Sequence, residues 1–153
     1  MRILLTLAAA ALVAGAAHAA DVRQGQIEVS APWSRPAAAG MNGAGYMTLA
    51  NRGRTADRLT AVESPVAKRV EIHRSAVTNG VMSMQRLDDG VAIGAGRSVA
   101  FAPGGNHVMF IGLTQALKTG DKAPATLVFQ SGARVKVEFE VRAGPPAGDH
   151  AHH

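Results

Sequence analysis

The sequence predicts an all-β domain, built as an antiparallel sandwich or a small barrel. Three observations carry that prediction. Beyond the N-terminal segment, no stretch sustains apolar residues at helical spacing. Short runs rich in β-branched and aromatic residues recur between Gly, Pro, Asn and Asp turns. The last run alternates cleanly: Val135, Val137, Phe139 and Val141 interleave with Lys136, Glu138, Glu140 and Arg142. Side chains two apart share a face of a strand, so this strand has one buried face and one wet face.

Taken in order, the chain opens on a segment outside the fold. Met1-Arg2 supplies a positive start, residues 3–16 are an apolar run of Leu, Ala and Val, and Ala17-His18-Ala19 has the small-x-small pattern of a cleavage site. Residues 1–19 are expected to be a secretory signal peptide cut before Ala20. The run is too short for a membrane anchor, so the mature protein is expected to be exported without membrane insertion, in a bacterium to the periplasm. Residues 20–142 fit one domain.

Within that domain, residues 26–31 read as a first strand. Residues 32–40, with Pro32, Pro36 and Gly40 around the single tryptophan Trp33, read as a loop. Strands follow over 45–51, 57–62 and 67–73. Asn79-Gly80 is a hairpin turn, after which comes a strand carrying Met82 and Met84. Turns are expected at 88–90 and 94–96, a strand at 98–102, a turn at 103–106 and an apolar strand at 107–113. A turn at 119–121 precedes a final hairpin of 125–130 with 135–141. From residue 143 the composition becomes that of a linker, Ala-Gly-Pro-Pro-Ala-Gly, ending in a His-rich tail with His150, His152 and His153.

Composition removes several function classes. The sequence has no cysteine. Without it there is no disulfide, no thiolate zinc site, no blue-copper centre and no acylated N-terminal Cys. Net charge is +5, or +4 once Arg2 leaves with the signal peptide (5 − 1). The basic residues, among them Arg52, Arg54, Arg58, Lys68, Arg69, Arg86, Lys118 and Lys122, are scattered without aromatic interleaving, which argues against a nucleic-acid interface. No nucleophile elbow, phosphate loop or His-Glu-x-x-His occurs, so no enzyme chemistry is expected. Glu63, Glu71, Asp88 and Asp89 read as strand-end and turn residues.

One stretch stands apart. Between His73 and Met109 lie two of the six histidines and three of the six methionines. His107 and Met109 are two apart on a strand, so they share a face about 7 Å from each other. Met82 and Met84 share a face in the same way, and the Asn79-Gly80 turn folds their strand back towards His73. Imidazole with thioether is a soft donor set that suits Cu(I) over Zn(II), Ca(II) or Mg(II). A plainer account also fits these residues: methionine commonly fills cores, and Met109 shares parity with Ile111 and Leu113. Met47, in an apolar strand, is assigned to packing. The chain then reads as an exported binding module for a protein or small molecule. The tail histidines suit weak Cu(II) or Zn(II) binding, as in a copper storage or tolerance protein, or a solvated end without a role.

With those residues in view, the sequence resembles the periplasmic copper chaperone family, PCu(A)C-like. The family's motif is His, ten residues, Met, about twenty-one residues, then His-x-Met; here His73, ten residues, Met84 and His107-Val108-Met109 stand in that order. The Met84-to-His107 gap is one residue longer than the family's spacing, and the additional residue is expected in the 88–96 turns. Ala31-Pro32-Trp33-Ser34-Arg35-Pro36, Asn42-Gly43-Ala44-Gly45-Tyr46-Met47 and Pro103-Gly104-Gly105-Asn106-His107 also resemble family landmarks. The resemblance implies a cupredoxin-like Greek-key sandwich. It implies one Cu(I) on His73, Met84, His107 and Met109, with Met82 as alternate. It also implies delivery to the copper centre of cytochrome c oxidase, directly or through a Sco-type thiol partner. A His-rich extension resembles those associated with a second, Cu(II)-type site.

Overall fold

The structure, a computed structural model, describes residues 21–146. The leader, its cleavage point before Ala20 and the tail histidines His150, His152 and His153 lie outside the described residues.

Among the described residues all the regular structure is strand. The elements are β1 (Val22–Gln24), β2 (Ile27–Ser34), β3 (Gly43–Asn51), β4 (Asp57–Glu63), β5 (Ala67–Thr78), β6 (Val81–Arg86), β7 (Val91–Ile93), β8 (Ser98–Phe101), β9 (Asn106–Leu113), β10 (Lys122–Phe129) and β11 (Arg134–Val141). The predicted all-β sandwich is thus the architecture present. Its strands form one hydrogen-bonded path, β6-β5-β9-β8-β3-β2-β11-β10-β4-β7, with β1 paired to β2. Pairing is antiparallel except between β2 and β11 and at a single β8–β9 pair. These parallel contacts depart from the purely antiparallel expectation. The β2–β11 pair is parallel because β11 reaches β2 by a crossover, where a hairpin would have reversed its direction; the β8–β9 contact is the single pair Phe101–Asn106 across a short turn.

The path curls so that its inner faces meet. Phe110 of β9 packs edge-to-face on Phe139 of β11, with ring centroids 5.6 Å apart. Leu49, Val108, Leu127, Val135 and Val141 surround them, all fully or almost fully buried. Gly45 of β3 makes this approach feasible. A Cβ there would lie 3.0 Å from both Phe110 and Phe139.

Several strands run beyond the sequence prediction. β5 continues to Thr78, and Thr78 pairs with Val81 across Asn79-Gly80, whose positive φ angles of 52° and 76° suit a tight two-residue turn. β1 and β7 are three-residue strands bounded by turns, too short to show alternation. β7 pairs Val91 with Leu59 of β4 immediately after Gly90. Gly90 has φ 72°, and a Cβ there would fall 1.8 Å from the Leu59 carbonyl oxygen. Gly90→Ala therefore combines a left-handed backbone, costing about 1–2 kcal/mol, with displacement of the β4–β7 pair. Urea unfolding is expected to show a loss of at least about 2 kcal/mol.

The predicted loop over 32–40 needs correction at its start, because Pro32, Trp33 and Ser34 belong to β2. The cause is a β-bulge. Ser30 pairs with Thr48 but Trp33 pairs with Tyr46, so one extra residue is absorbed between them, with Ala31 at φ 48°. A bulge reverses the facing of everything after it. Before it Ile27 and Val29 point into the core; after it Ser34 pairs with core-facing Gly45, and Trp33 turns to the opposite face. There it packs on Tyr46 at 4.7 Å between ring centroids. Both rings are buried outside the main core cluster.

Candidate metal centre

The outer face of β6-β5-β9 carries the residues singled out in the sequence. The registers establish this. Val70, Ile72, Val108 and Phe110 turn inward, so Glu71, His73, His107 and Met109 turn outward. His73 is the direct cross-strand partner of His107, and Glu71 of Met109. On the other side of β5, His73 pairs with Arg86, Ser75 with Met84 and Val77 with Met82. Direct partners share a face. Glu71, His73, His107, Met109, Arg86, Met84 and Met82 are therefore all on one face. The segment between Met84 and His107, with β7 and its turns, leaves these residues on that common face.

The arrangement brings the two histidines together first. Their ring centroids are 5.7 Å apart. Met84 is diagonal to His73 and Met109 is diagonal to it on the other side, each about 7–8 Å away between backbones. Met82 is one cross-strand pair further out, about 13 Å along the strand from the His73 pair. Burial falls in the same order. His107 is 4 % exposed, Met84 is 52 % exposed and Met82 is 70 % exposed. Met109 is half-buried, and Met47 lies in the core as packing. Met109 is thus on the opposite side of β9 from the core residues Val108 and Phe110.

Hydrogen bonding fixes which ring nitrogens are free. His107 Nδ1 lies 3.2 Å from the Gly105 carbonyl oxygen. A carbonyl only accepts, so Nδ1–H donates and Nε2 keeps its lone pair. His73 Nε2 lies 2.7 Å from Glu71 Oε2. An ionised carboxylate also only accepts, so Nε2–H donates and Nδ1 keeps its lone pair. The two remaining nitrogens, His73 Nδ1 and His107 Nε2, are buried and have no hydrogen-bond partner. Buried polar atoms without partners are uncommon and call for an explanation.

Electrostatics favour that state for His107. Burial pushes the His107 pKa below its usual 6.5, with a further push down from His73 and a partial offset by the Gly105 carbonyl. The neutral ring is therefore favoured at neutral pH. The hydrogen bond from His73, then that from Arg69, holds the Glu71 carboxyl at about 2. Glu71 also takes Arg69 Nε at 3.0 Å and Arg86 Nη1 at 3.4 Å, and Arg86 in turn pairs with Asp88.

No group of three or more His, Cys, Asp or Glu among the described residues is arranged to hold a metal ion. The thioethers of Met84 and Met109 flank the histidine pair on the same face, with Met82 further out. Sequence reasoning missed Glu71, which it assigned to a strand end. The available signal was its place two residues before His73, which puts both on one face of a strand.

Fold and face together define a recognisable class: the chain has the cupredoxin-like β-sandwich of PCuAC domains. It superimposes on the structure described as "Copper-bound PCuAC domain from PmoF2" with TM-score 0.69 and 27 % identity, covering 82 % of this chain and 99 % of that one. The "Apo PCuAC domain from PmoF1" gives 0.68 and 26 % over 82 % and 100 %. "CuI-DR1885 from Deinococcus Radiodurans", a solution structure, gives 0.59 and 25 % over 76 % and 79 %. More particularly, the chain belongs to the LpqE-like family, described as "Putative lipoprotein LpqE-like", whose pattern matches residues 27–141. A relative in Leifsonia xyli, "Putative lipoprotein Lxx21020", is 32 % identical over 116 residues, which is 76 % of this chain and 69 % of that protein. "Uncharacterized protein RP573" of Rickettsia prowazekii is 29 % identical over 119 residues.

Proposed function

We propose that this protein is a non-enzymatic Cu(I) carrier. In this reading it binds one ion through His73 Nδ1, His107 Nε2 and the sulfurs of Met84 and Met109. The observation that carries it is the pair of buried, partnerless ring nitrogens on facing strands, with thioethers on the same face. Two neutral imidazoles and two neutral thioethers form a soft set that needs no deprotonated thiolate and leaves the ion its charge of +1. The copper-bound PCuAC neighbours support the same reading. Met84 is exposed while His107 is buried, so in this reading the centre is held from below and open above, which suits ligand exchange with an acceptor.

We place the protein in the periplasm, exported by its N-terminal segment. Family membership supports export, since relatives are named as lipoproteins, though this sequence holds no cysteine for a lipid thioether. The proposed acceptor is the copper centre of cytochrome c oxidase, reached directly or through a Sco-type thiol partner. Mixing the Cu(I)-loaded protein with an apo acceptor domain and following the metal tests that step; metal that stays on the carrier against both acceptors rules it out.

Anaerobic Cu(I) titration against a chromophoric competitor tests the site. Wild type is expected to take up one equivalent. Met84→Ala is expected to weaken binding by at least about tenfold, which is about 1.4 kcal/mol. Met82→Ala, one pair further from the histidines, is expected to stay within about twofold. The reverse order would move the sulfur donor from Met84 to Met82, and no change in either would remove β6 from the site.

A further inference from the structure

We propose that Glu71 is the positioning residue of this centre: its carboxylate fixes His73 with Nδ1 as the free nitrogen and at the same time ties β6, which carries Met84, to the histidine pair. The inference rests on the Cu(I) reading above and deepens it.

The two histidines are oriented by different devices. For His107 the acceptor is a backbone carbonyl, that of Gly105 immediately before β9, which is present whatever side chains stand nearby. For His73 the acceptor is a side chain, and the orientation therefore depends on one residue. Glu71 divides its oxygens. Oε2 takes the His73 Nε2–H at 2.7 Å, while Oε1 takes Arg69 Nε at 3.0 Å and Arg86 Nη1 at 3.4 Å. Arg86 is the cross-strand partner of His73 and stands two residues from Met84 on the same face. One carboxylate thus links the imidazole of β5 to the strand that bears the exposed sulfur. Hydrogen-bonded carboxylates behind a histidine fix its tautomer and raise its basicity as a ligand.

The same contacts keep Glu71 out of the donor set. Oε1 is held by two guanidinium groups and Oε2 by an imidazole N–H, so both oxygens already have cationic or N–H partners. A free carboxylate there would supply a hard donor and favour harder ions. Glu71 is in this respect a specificity device as well as an orienting one.

The test uses the purified protein labelled with nitrogen-15 at histidine, read by long-range proton–nitrogen correlation in the metal-free state. Wild-type His73 is expected to be the Nε2–H tautomer and His107 the Nδ1–H tautomer. Glu71→Gln keeps the volume but has one oxygen. The two arginines claim that oxygen, the amide NH2 faces His73 Nε2, and the His73 tautomer inverts while His107 is unchanged. Glu71→Ala leaves His73 a mixture. Cu(I) affinity falls about 10–100-fold in both, the range for loss of such an outer partner. A wild-type His73 already protonated at Nδ1 overturns the proposal without any variant. So does a Glu71→Gln protein with wild-type tautomer and wild-type affinity. If the tautomer inverts as expected but wild type takes up no Cu(I), the copper reading fails and the orienting role on His73 stands.

Discussion

His107→Ala is expected to lower Cu(I) affinity by more than about 100-fold, beyond the range for an outer-shell partner. The reasoning is positional. His107 is the most buried of the four candidate donors, at 4 % exposed, and it sits directly opposite His73. Its Nδ1 is committed to the Gly105 carbonyl, so Nε2 is its one free nitrogen. An exposed sulfur can be replaced by a neighbouring sulfur or by solvent, whereas nothing else on β9 can place a nitrogen at that depth. The metal-free variant should retain its far-ultraviolet circular dichroism, because His107 is outside the main apolar cluster. Affinity within tenfold of wild type, on a folded protein, would mean that the centre is elsewhere.

Phe139→Ala is expected to destabilise the metal-free protein by about 3–5 kcal/mol, the range for truncating a buried aromatic ring. Phe139 is fully buried and makes the edge-to-face contact that joins the β5-β9-β3 part of the sheet to the β11-β10-β4 part. The approach of Gly45 on one side shows how little slack the cavity would have for collapse. With domain stabilities of about 5–15 kcal/mol, a loss of this size takes a large share of the total. Denaturant midpoints measured at constant slope check it. A change below about 1 kcal/mol would mean that the two halves are joined chiefly by other contacts.

Legibility in the sequence followed the range of the interaction. β11 was readable because its alternation is a local consequence of one buried face. The Asn79-Gly80 turn was readable because two adjacent residues determine it. β1 and β7 were not, since three residues show no period. Trp33 reads as loop because two prolines and a glycine stand around it, and a bulge at Ala31 hides the alternation that would mark its strand. At the site, His107 and Met109 share a face by spacing alone. That His73 stands opposite His107 depends on the β5–β9 register, which joins strands separated by three others in sequence. The role of Glu71 depends on the same face being crowded with Arg69 and Arg86, and no local pattern announces that.

The bulge at Ala31 also determines what light reports. It moves the chain's one tryptophan out of the core and onto the outer face of the sheet, against Tyr46. Tyr46 directly follows Gly45, whose partner Val108 directly follows His107, so the indole and the histidine pair look out from the same side. Trp33 emission is thus an intrinsic optical probe of the surface that carries the histidine pair, available without a label, and one inserted residue in the first long strand is what makes it so.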